Sequence, residues 1–404
     1  MKIVQINAVY EYSSTGRTTR EMDLYLQDHG HQSYKFYSEE RSDSNKYDLI
    51  GNKNDHKIHA IFSRLLGRQG WFSHTATRKL LTKLDDIHPD VVVLRVLHGN
   101  FINIPMLLKY LAINDIATVV VLHDVWTFTG HCCYYTENKC DKWMTCCHDC
   151  PALNKDNKSW FFDNSEENFL AKKELFNAIP RLAVVGVSDW VANEARKSPI
   201  FENAKIIQRI YNWIDLEVFK PMEINKIRAS LGLSTDDFVI LGVAQNWSDK
   251  KGLSHFLKLA DNYPDCKIVM VGGFLESVNL PVNVIKTGTI GSVSRLAELY
   301  ACADVFLNFS VQETFGKVTA ESVSAGTPII VNDATATPEL CGTGCGYVIK
   351  FGEWDKIGEY VSTIKKNGKA AYQDACVKFA HETFDKDKNM RSYISLFEKL
   401  CSLK

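Results

Sequence analysis

Ten short runs rich in Val, Ile and Leu recur along the chain with helically spaced stretches between them, and this alternation leaves few folds open. The first set is Ile3–Ile6, Val91–Val96, Ala117–Leu122, Leu182–Val187 and Ile206–Tyr211. The second is Phe238–Val243, Lys267–Val271, Val284–Thr287, Val305–Asn308 and Pro328–Val331. Short, near-continuous apolar runs suit strands buried on both faces. Such strands, separated by helices, build parallel sheets with helices on both sides. Two sets predict an α/β chain of two Rossmann-like domains, and 404 residues is a comfortable length for two.

Composition narrows the function classes. Apolar residues make up 45% and charged residues 24%, ordinary for a soluble globular chain. The formal net charge of −1 gives no reason to expect a nucleic-acid partner. The opening Met1–Asn7 holds an apolar run too short for a signal peptide, and no stretch approaches the ~20 apolar residues needed to cross a bilayer. The expected location is the cytoplasm. A reducing compartment disfavours a disulfide framework, although the chain has twelve cysteines.

In open parallel sheets, ligands bind outside the carboxyl ends of the strands. Two such domains facing each other make a cleft, and the polar motifs are expected at its strand ends. The richest is Glu313-Thr-Phe-Gly-Lys-Val-Thr-Ala-Glu321-Ser-Val323, which follows a strand and opens a helix that stops at Gly326-Thr-Pro328. Glu313 is expected on the loop and Glu321 about two turns down the helix. The helix start suits a diphosphate, and Gly316 allows close approach to the backbone. Two solvated carboxylates on a surface loop are the plain alternative. After the first strand comes Tyr12-Ser-Ser-Thr-Gly16-Arg-Thr-Thr19, read as a polar loop ahead of a helix Glu21–His29. Gly16 is its expected point of closest approach to a phosphate, unless this is an ordinary βα turn. Ala117–Leu122 ends in His123-Asp124, so His123 either points into the cleft or caps the strand. Phe238–Val243 leads to Gln245-Asn-Trp-Ser-Asp-Lys250-Lys251-Gly252. Gly273, Thr289 and the segment Asn332–Thr335 also lie at strand ends, the last with no role beyond lining.

Taken together, these motifs resemble the GT-B fold retaining glycosyltransferases of family 4, whose signature is E-x7-E. The resemblance covers nearly the whole chain. It implies that Glu313 faces the donor sugar and Glu321 holds the ribose hydroxyls of a nucleotide-diphosphate sugar. His123 would contact the transferred sugar. Lys251, with Lys250, would neutralise the diphosphate beside Gly316, Phe315 and Gly16, while Gly273 and Thr289 would approach the nucleotide. No catalytic metal is expected on the diphosphate. The family's usual Arg is replaced here by Gln245 or Asn246; an amide donates hydrogen bonds but brings no charge. The implied reaction moves a sugar with retention to a saccharide acceptor, lipid-linked, in bacterial surface polysaccharide synthesis. A nucleotide-sugar epimerase or hydrolase on the same fold, and a non-catalytic nucleotide-sugar scaffold, are the alternatives.

Six of the twelve cysteines crowd into Cys132–Cys150. Taking one from each adjacent pair gives Cys132-x7-Cys140-x6-Cys147-x2-Cys150, a set able to close a tetrahedral zinc site. Packed reduced thiols and labile disulfides are the alternatives. The insert at 130–151 is similar to one in the colanic acid and exopolysaccharide branch of that family.

The domains are expected at 1–215 and 216–384, with a helix at 385–404 crossing back to the first. Between Lys57 and Lys79, Ile58, Ile61, Phe62 and Leu65 share a helical face among Arg64, Arg68, Arg78 and the Trp71-Phe72 pair. That face either meets anionic lipid, making the chain peripheral on a membrane, or packs on the core.

Overall fold

The computed structural model describes residues 1–39, 45, 48–155, 157–275 and 278–403. Among them are twelve strands in two six-stranded sheets, and every pairing is parallel. The first sheet holds β1 (Lys2–Asn7), β2 (Gln32–Tyr37), β3 (Val91–Leu94), β4 (Ala117–Leu122), β5 (Leu182–Gly186) and β6 (Ile206–Arg209). The second holds β7 (Phe238–Asn246), β8 (Cys266–Gly273), β9 (Val284–Gly288), β10 (Val305–Asn308), β11 (Ile329–Asn332) and β12 (Gly346–Ile349).

Ten of these strands coincide with the apolar runs; β2 and β12 do not. Both are edge strands. An edge strand has one neighbour and stays partly exposed, so it needs no continuous apolar run. QSYKFY in β2 and GYVI in β12 fit that description. By contrast, β3, β4, β5, β10 and β11 are buried at every position.

Strand order fixes where ligands can bind. In the first sheet it is β2-β1-β3-β4-β5-β6, and in the second β12-β11-β10-β7-β8-β9. The chain starts each sheet inside, builds outward, then returns to the other side of the first strand. The reversal falls between β1 and β3 and between β7 and β10. Loops leaving the two strands at such a switch point diverge to opposite faces and leave a crevice at the carboxyl ends.

Two compact units carry these sheets: Met1–Ile210 with Met390–Lys404, and Tyr211–Asn389. The boundary precedes Tyr211 rather than following Asp215 because the intervening residues are fastened into the second unit. Ile214 N–H donates to Phe384 O at 3.0 Å, and the Tyr211 hydroxyl donates to Glu339 Oε2 at 3.1 Å. The last helix is Lys386–Ser402, and Met390, Tyr393, Leu396 and Leu400 are buried in the first unit. Lys404, the end of the expected 385–404 segment, lies outside the described residues.

β7 and β8 run further than their apolar stretches because their ends approach unusually closely. Trp247 N–H donates to Gly273 O at 2.8 Å, and its indole N–H donates to Val271 O at 3.0 Å. Gly272 has φ +126°, and a Cβ there would lie 1.8 Å from Ala244 O. Gly272→Ala should therefore cost about 2–3 kcal/mol in urea unfolding. Gly291→Ala, with nothing within 4 Å of its Cβ, should stay within about 0.5 kcal/mol of wild type. Equal effects would contradict the close approach.

Candidate functional site

In the second unit the loop leaving β10 is held by short polar side chains. Asn308 Oδ1 accepts from Ser310 N–H at 3.0 Å, and the Asn308 amide donates to Thr319 Oγ1 at 2.9 Å. Asn332, ending β11, donates to Ser310 O at 3.1 Å. Thr335, held at φ 52°, accepts from Glu313 N–H at 2.9 Å. The Phe315 ring lies between Tyr211 and Phe384, with centroids 6.0 and 5.8 Å away. Phe315 is 3% exposed. Its ring is buried as an anchor of the loop, so any contact with the diphosphate expected beside it would be through its backbone.

That loop meets the one leaving β7 across the switch point. Lys251 closes the 3-10 turn Asp249–Lys251 and donates from Nζ to Glu313 Oε1 at 2.7 Å and to Ser310 Oγ at 3.1 Å. Lys250 O accepts from Val311 N–H at 3.1 Å. The Lys251 and Glu313 side chains are 39% and 19% exposed, so water screens the pair and its contribution to stability is at most about 1 kcal/mol. Its significance is positional: a cation and a carboxylate share the spot where the fold makes its crevice.

Gly316 stands at the start of the helix Lys317–Ser324 with φ +89°, and no side chain caps that start. The first-turn N–H groups and the helix dipole there favour an anion. Glu321 is the fifth residue of this helix, a little over one turn in, so the expected two turns are too many. It is 2% exposed, with Oε2 accepting from the Tyr300 hydroxyl at 3.2 Å.

Gln245 and Asn246 occupy the exposed end of β7, and Lys250 is exposed beyond them. Gly273 ends β8, where its missing side chain makes room for Asn246 Oδ1. Thr289 follows β9, exposed, two strands out from β7, roughly 10 Å at sheet spacing. The second unit thus brings Lys251, Glu313 and the Gly316 helix start to one switch point, flanked by the other strand-end residues.

The first unit departs more from expectation. Its first helix is Ser13–Asp28, so Gly16 sits in the first helical turn and not on a loop. A Cβ at Gly16 would meet backbone of Tyr10 and Glu11 at 3.2 and 3.3 Å. The close approach made possible by Gly16 is to its own chain, which explains the glycine without a phosphate. At the β1/β3 switch point stands a residue no motif flagged, Arg95, 2% exposed. It donates to Gln5 Oε1 at 3.3 Å and lies 3.1 Å from His123 Nε2. Arginine only donates, so His123 Nε2 is the acceptor and the ring is neutral, with its proton on Nδ1. His98, also unflagged, is 2.8 Å from Asp124 Oδ2, and Asp124 Oδ1 accepts from Trp126 N–H at 2.9 Å. His98, Asp124 and Cys133 place three donor atoms within 4.8 Å of one another. The signal for Arg95 was a charge inside an apolar run; His98 had none.

The insert of the first unit buries more than its sequence suggests. Trp143 packs between Phe128 and Tyr135, with centroids 5.2 and 4.7 Å away. All of its cysteines are unbridged.

Comparison with known proteins supports the expected fold. Residues 223–383 match the family described as glycosyl transferases group 1. Alpha-galactosylglucosyldiacylglycerol synthase of Streptococcus pneumoniae is 32% identical over 140 residues, 31% of this chain and 37% of that protein. N-acetyl-alpha-D-glucosaminyl L-malate synthase of Bacillus anthracis is 25% identical over 194 residues, 46% of this chain and 50% of that protein. The chain therefore spans between 37% and 50% of the length of these relatives. Sucrose-phosphate synthase of Thermosynechococcus elongatus has a TM-score of 0.71 at 13% identity, covering 99% of this chain and 98% of that one. HepE of Anabaena, in complex with UDP-glucose, has a TM-score of 0.63 at 17% identity, with full coverage of both chains, 100% each. At such identities the likeness is one of fold, and that fold is GT-B.

The His98–Asp124 pair gives a pH prediction. Burial opposes charge on His98, but Asp124 outweighs it and holds His98 well above its ordinary 6.5. Burial likewise opposes charge on Asp124, and His98 outweighs it, holding Asp124 below 3.8. The histidine's contribution is full below 6.5 and lost as pH rises through its raised value; the aspartate's is full above 3.8 and lost as pH falls. Asp124→Asn should leave burial opposed by Cys133 alone and so lower the His98 titration seen by NMR. It should cost about 3 kcal/mol inside that window, with the cost shrinking at high pH. An unmoved His98 titration would contradict the pairing.

Proposed function

We propose that this chain is a retaining glycosyltransferase that moves a sugar from a nucleotide-diphosphate donor to a lipid-linked saccharide in bacterial surface polysaccharide synthesis. The observation that carries the reading is the Lys251–Glu313 pair at the β7/β10 switch point, beside an uncapped helix start, in a segment matching the group 1 glycosyltransferases. HepE, of the same fold, was solved with UDP-glucose, which favours this donor class.

In this reading the diphosphate takes over Lys251 from Glu313 and meets the N–H groups after Gly316. Glu313, released from the ammonium, accepts from donor-sugar hydroxyls. Glu321, already anchored by Tyr300, accepts from the ribose hydroxyls. Gln245 and Lys250 complete the polar rim. As the anomeric C–O bond to the diphosphate breaks, negative charge grows on the leaving oxygen, and Lys251 with the helix dipole stabilises it. The acceptor oxygen bonds the anomeric carbon on the same face, and its proton passes to the departing phosphate oxygen. His123, neutral and fixed by Arg95, serves as a hydrogen-bonding contact to the transferred sugar and not as a nucleophile. Gln245 in place of the family's Arg favours a second reading, a nucleotide-sugar-binding scaffold without turnover.

The acceptor reading gains from an apolar surface on the first unit. The helix Lys53–Leu66 buries His59 and Ser63 and turns Ile58, Ile61, Phe62 and Leu66 outward, which favours a lipid contact over core packing. Leu65, expected on that face, is only half-buried. Next to the helix end, Trp160 N–H donates to Arg64 O at 2.7 Å, and Trp160, Phe161 and Phe162 are 52%, 69% and 54% exposed. Lys57, Arg64 and Lys158 lie exposed around them. An apolar patch with a basic rim suits an anionic lipid surface, and the Streptococcus relative is named for a diacylglycerol product. Among the described residues no helix is long and apolar enough to cross a membrane.

Two experiments test these assignments. In thermal-shift titrations with UDP, GDP and ADP, one nucleotide should stabilise the wild type by about 2–3 kcal/mol at 100-fold excess over its Kd. Lys251→Ala should abolish most of that shift, and with a working acceptor it should slow turnover by about 10²-fold. Response to no nucleotide would overturn the donor assignment; nucleotide binding with no turnover on any acceptor would leave the scaffold. Separately, wild type should cosediment with phosphatidylglycerol vesicles, less so at high salt and less so when Trp160, Phe161 and Phe162 are all changed to Ser. Equal sedimentation of the triple variant would remove the lipid surface.

A further inference from the structure

The structure sorts the six cysteines of the insert into two kinds. Cys132, Cys140, Cys147 and Cys150 line one cavity of about 10 Å³, room for about one water or one ion. Cys133 and Cys146 are not in that lining. Cys133 Sγ instead lies 4.0 Å from His98 Nε2 and accepts from the Asn157 amide at 3.3 Å, and Cys146 Sγ reaches Cys147 O at 3.7 Å. The partition is the one that the adjacent pairs in the sequence left to be chosen.

Backbone N–H groups reach two of the four sulfurs. Gly130 N–H donates to Cys147 Sγ at 3.2 Å, Ala152 N–H donates to the Cys150 sulfur, and the Cys132 and Cys150 thiols bond each other. Amide donors to sulfur stabilise the thiolate and commonly surround metal-bound cysteines. Lys172 is buried beside them, 5% exposed, donating to Trp126 O at 2.7 Å and Thr129 O at 2.9 Å, with Cys147 its strongest favourable electrostatic partner. Those two carbonyls and the Trp126 ring, whose centroid is 3.3 Å from Nζ, surround the amine, and negative sulfur beside it would favour its charged form. A divalent ion held by four thiolates leaves that site with two net negative charges.

We propose that Cys132, Cys140, Cys147 and Cys150 together bind one zinc ion in a closed structural site. Four soft sulfur donors select zinc and fill its tetrahedral coordination, leaving no open position for catalysis. Each ligating thiol gives its proton to solvent. His98, Asp124 and Cys133 are the only donor group among the described residues found within 4.8 Å of one another, so the four sulfurs are more widely spread than Zn–S bonds of about 2.3 Å require. Zinc binding would therefore bring the four sulfurs closer together than they stand here. Its effect reaches the turn after β4. Cys132 O accepts from Thr129 Oγ1 at 2.7 Å, and Cys133 O accepts from Val125 N–H at 3.1 Å, directly after His123-Asp124. Zinc would thus steady the turn that holds His123 without touching substrate.

The test is metal analysis of the full chain purified without chelators, with X-ray absorption at the zinc edge. The expected result is one zinc per chain with four sulfur neighbours at about 2.3 Å. Cys140→Ser and Cys150→Ser should lose the metal, and Cys133→Ser and Cys146→Ser should keep it. Because a Ser variant can fail to fold, wild type is also reconstituted with cobalt(II), which should give the intense visible bands of tetrahedral thiolate coordination. A folded wild type that takes up no zinc would overturn the proposal. So would a nitrogen- or oxygen-rich shell, or zinc kept by Cys140→Ser but lost by Cys133→Ser or His98→Ala, which would move the ion to the other cluster.

Discussion

The meeting of Lys251 and Glu313 depends on a constraint older in the chain than either residue: parallel strands all end on the same side. Because the second sheet starts at β7, builds out to β9 and returns at β10, the loops after β7 and β10 are neighbours although Lys251 and Glu313 are 62 positions apart. Every other feature of the candidate site hangs on that return. Asn308, Asn332 and Thr335 hold the β10 loop in place, Trp247 and the Gly272 approach hold the β7 loop, and the helix after Gly316 starts where both converge. A close ion pair here is a weak source of stability. Under the proposed function it is a cation kept in position for the diphosphate that would displace its partner.

Much of this was legible in the sequence because buried parallel strands need unbroken apolar runs, and ten of twelve announced themselves that way. β2 and β12 stayed hidden because they do not open on an apolar run, which an edge strand can do without; the other two edges, β6 and β9, happen to open on a short one. Strand order was not legible at all; it is set by which helix covers which face, a contact between distant segments. Site residues followed the same division. Glu313, Lys251 and Gly316 were visible because a loop chemistry accompanies a strand end. Thr335 and Ser310 were not, since a single hydroxyl becomes informative only when its partner is known. Gly16 was expected on a loop and lies in a helix start, because a glycine needed for tight helix-on-loop packing has the same one-letter signature as one needed for a phosphate.

The first unit shows how buried charge organises the buried turn after β4. Arg95 inside the sheet fixes the tautomer of His123, and His98 with Asp124 fixes the turn that follows. His98 and Asp124 persist as charges in a low-dielectric interior because each is the other's partner, and Arg95 rests on hydrogen bonds to Gln5 and His123. The insert extends the principle, with a buried lysine set among thiols. Its aromatic layer of Phe128, Tyr135 and Trp143 supplies packing on one side, and the sulfur-lined cavity supplies the other.

The central claim is that the β7/β10 switch point is a nucleotide-diphosphate site. A crystal structure of the chain with a bound nucleoside diphosphate tests it most directly. The account predicts the diphosphate on Lys251 Nζ and the N–H groups following Gly316, the ribose hydroxyls on Glu321, and Glu313 turned away from Lys251. Nucleotide bound elsewhere, with Lys251 still paired to Glu313, would contradict it.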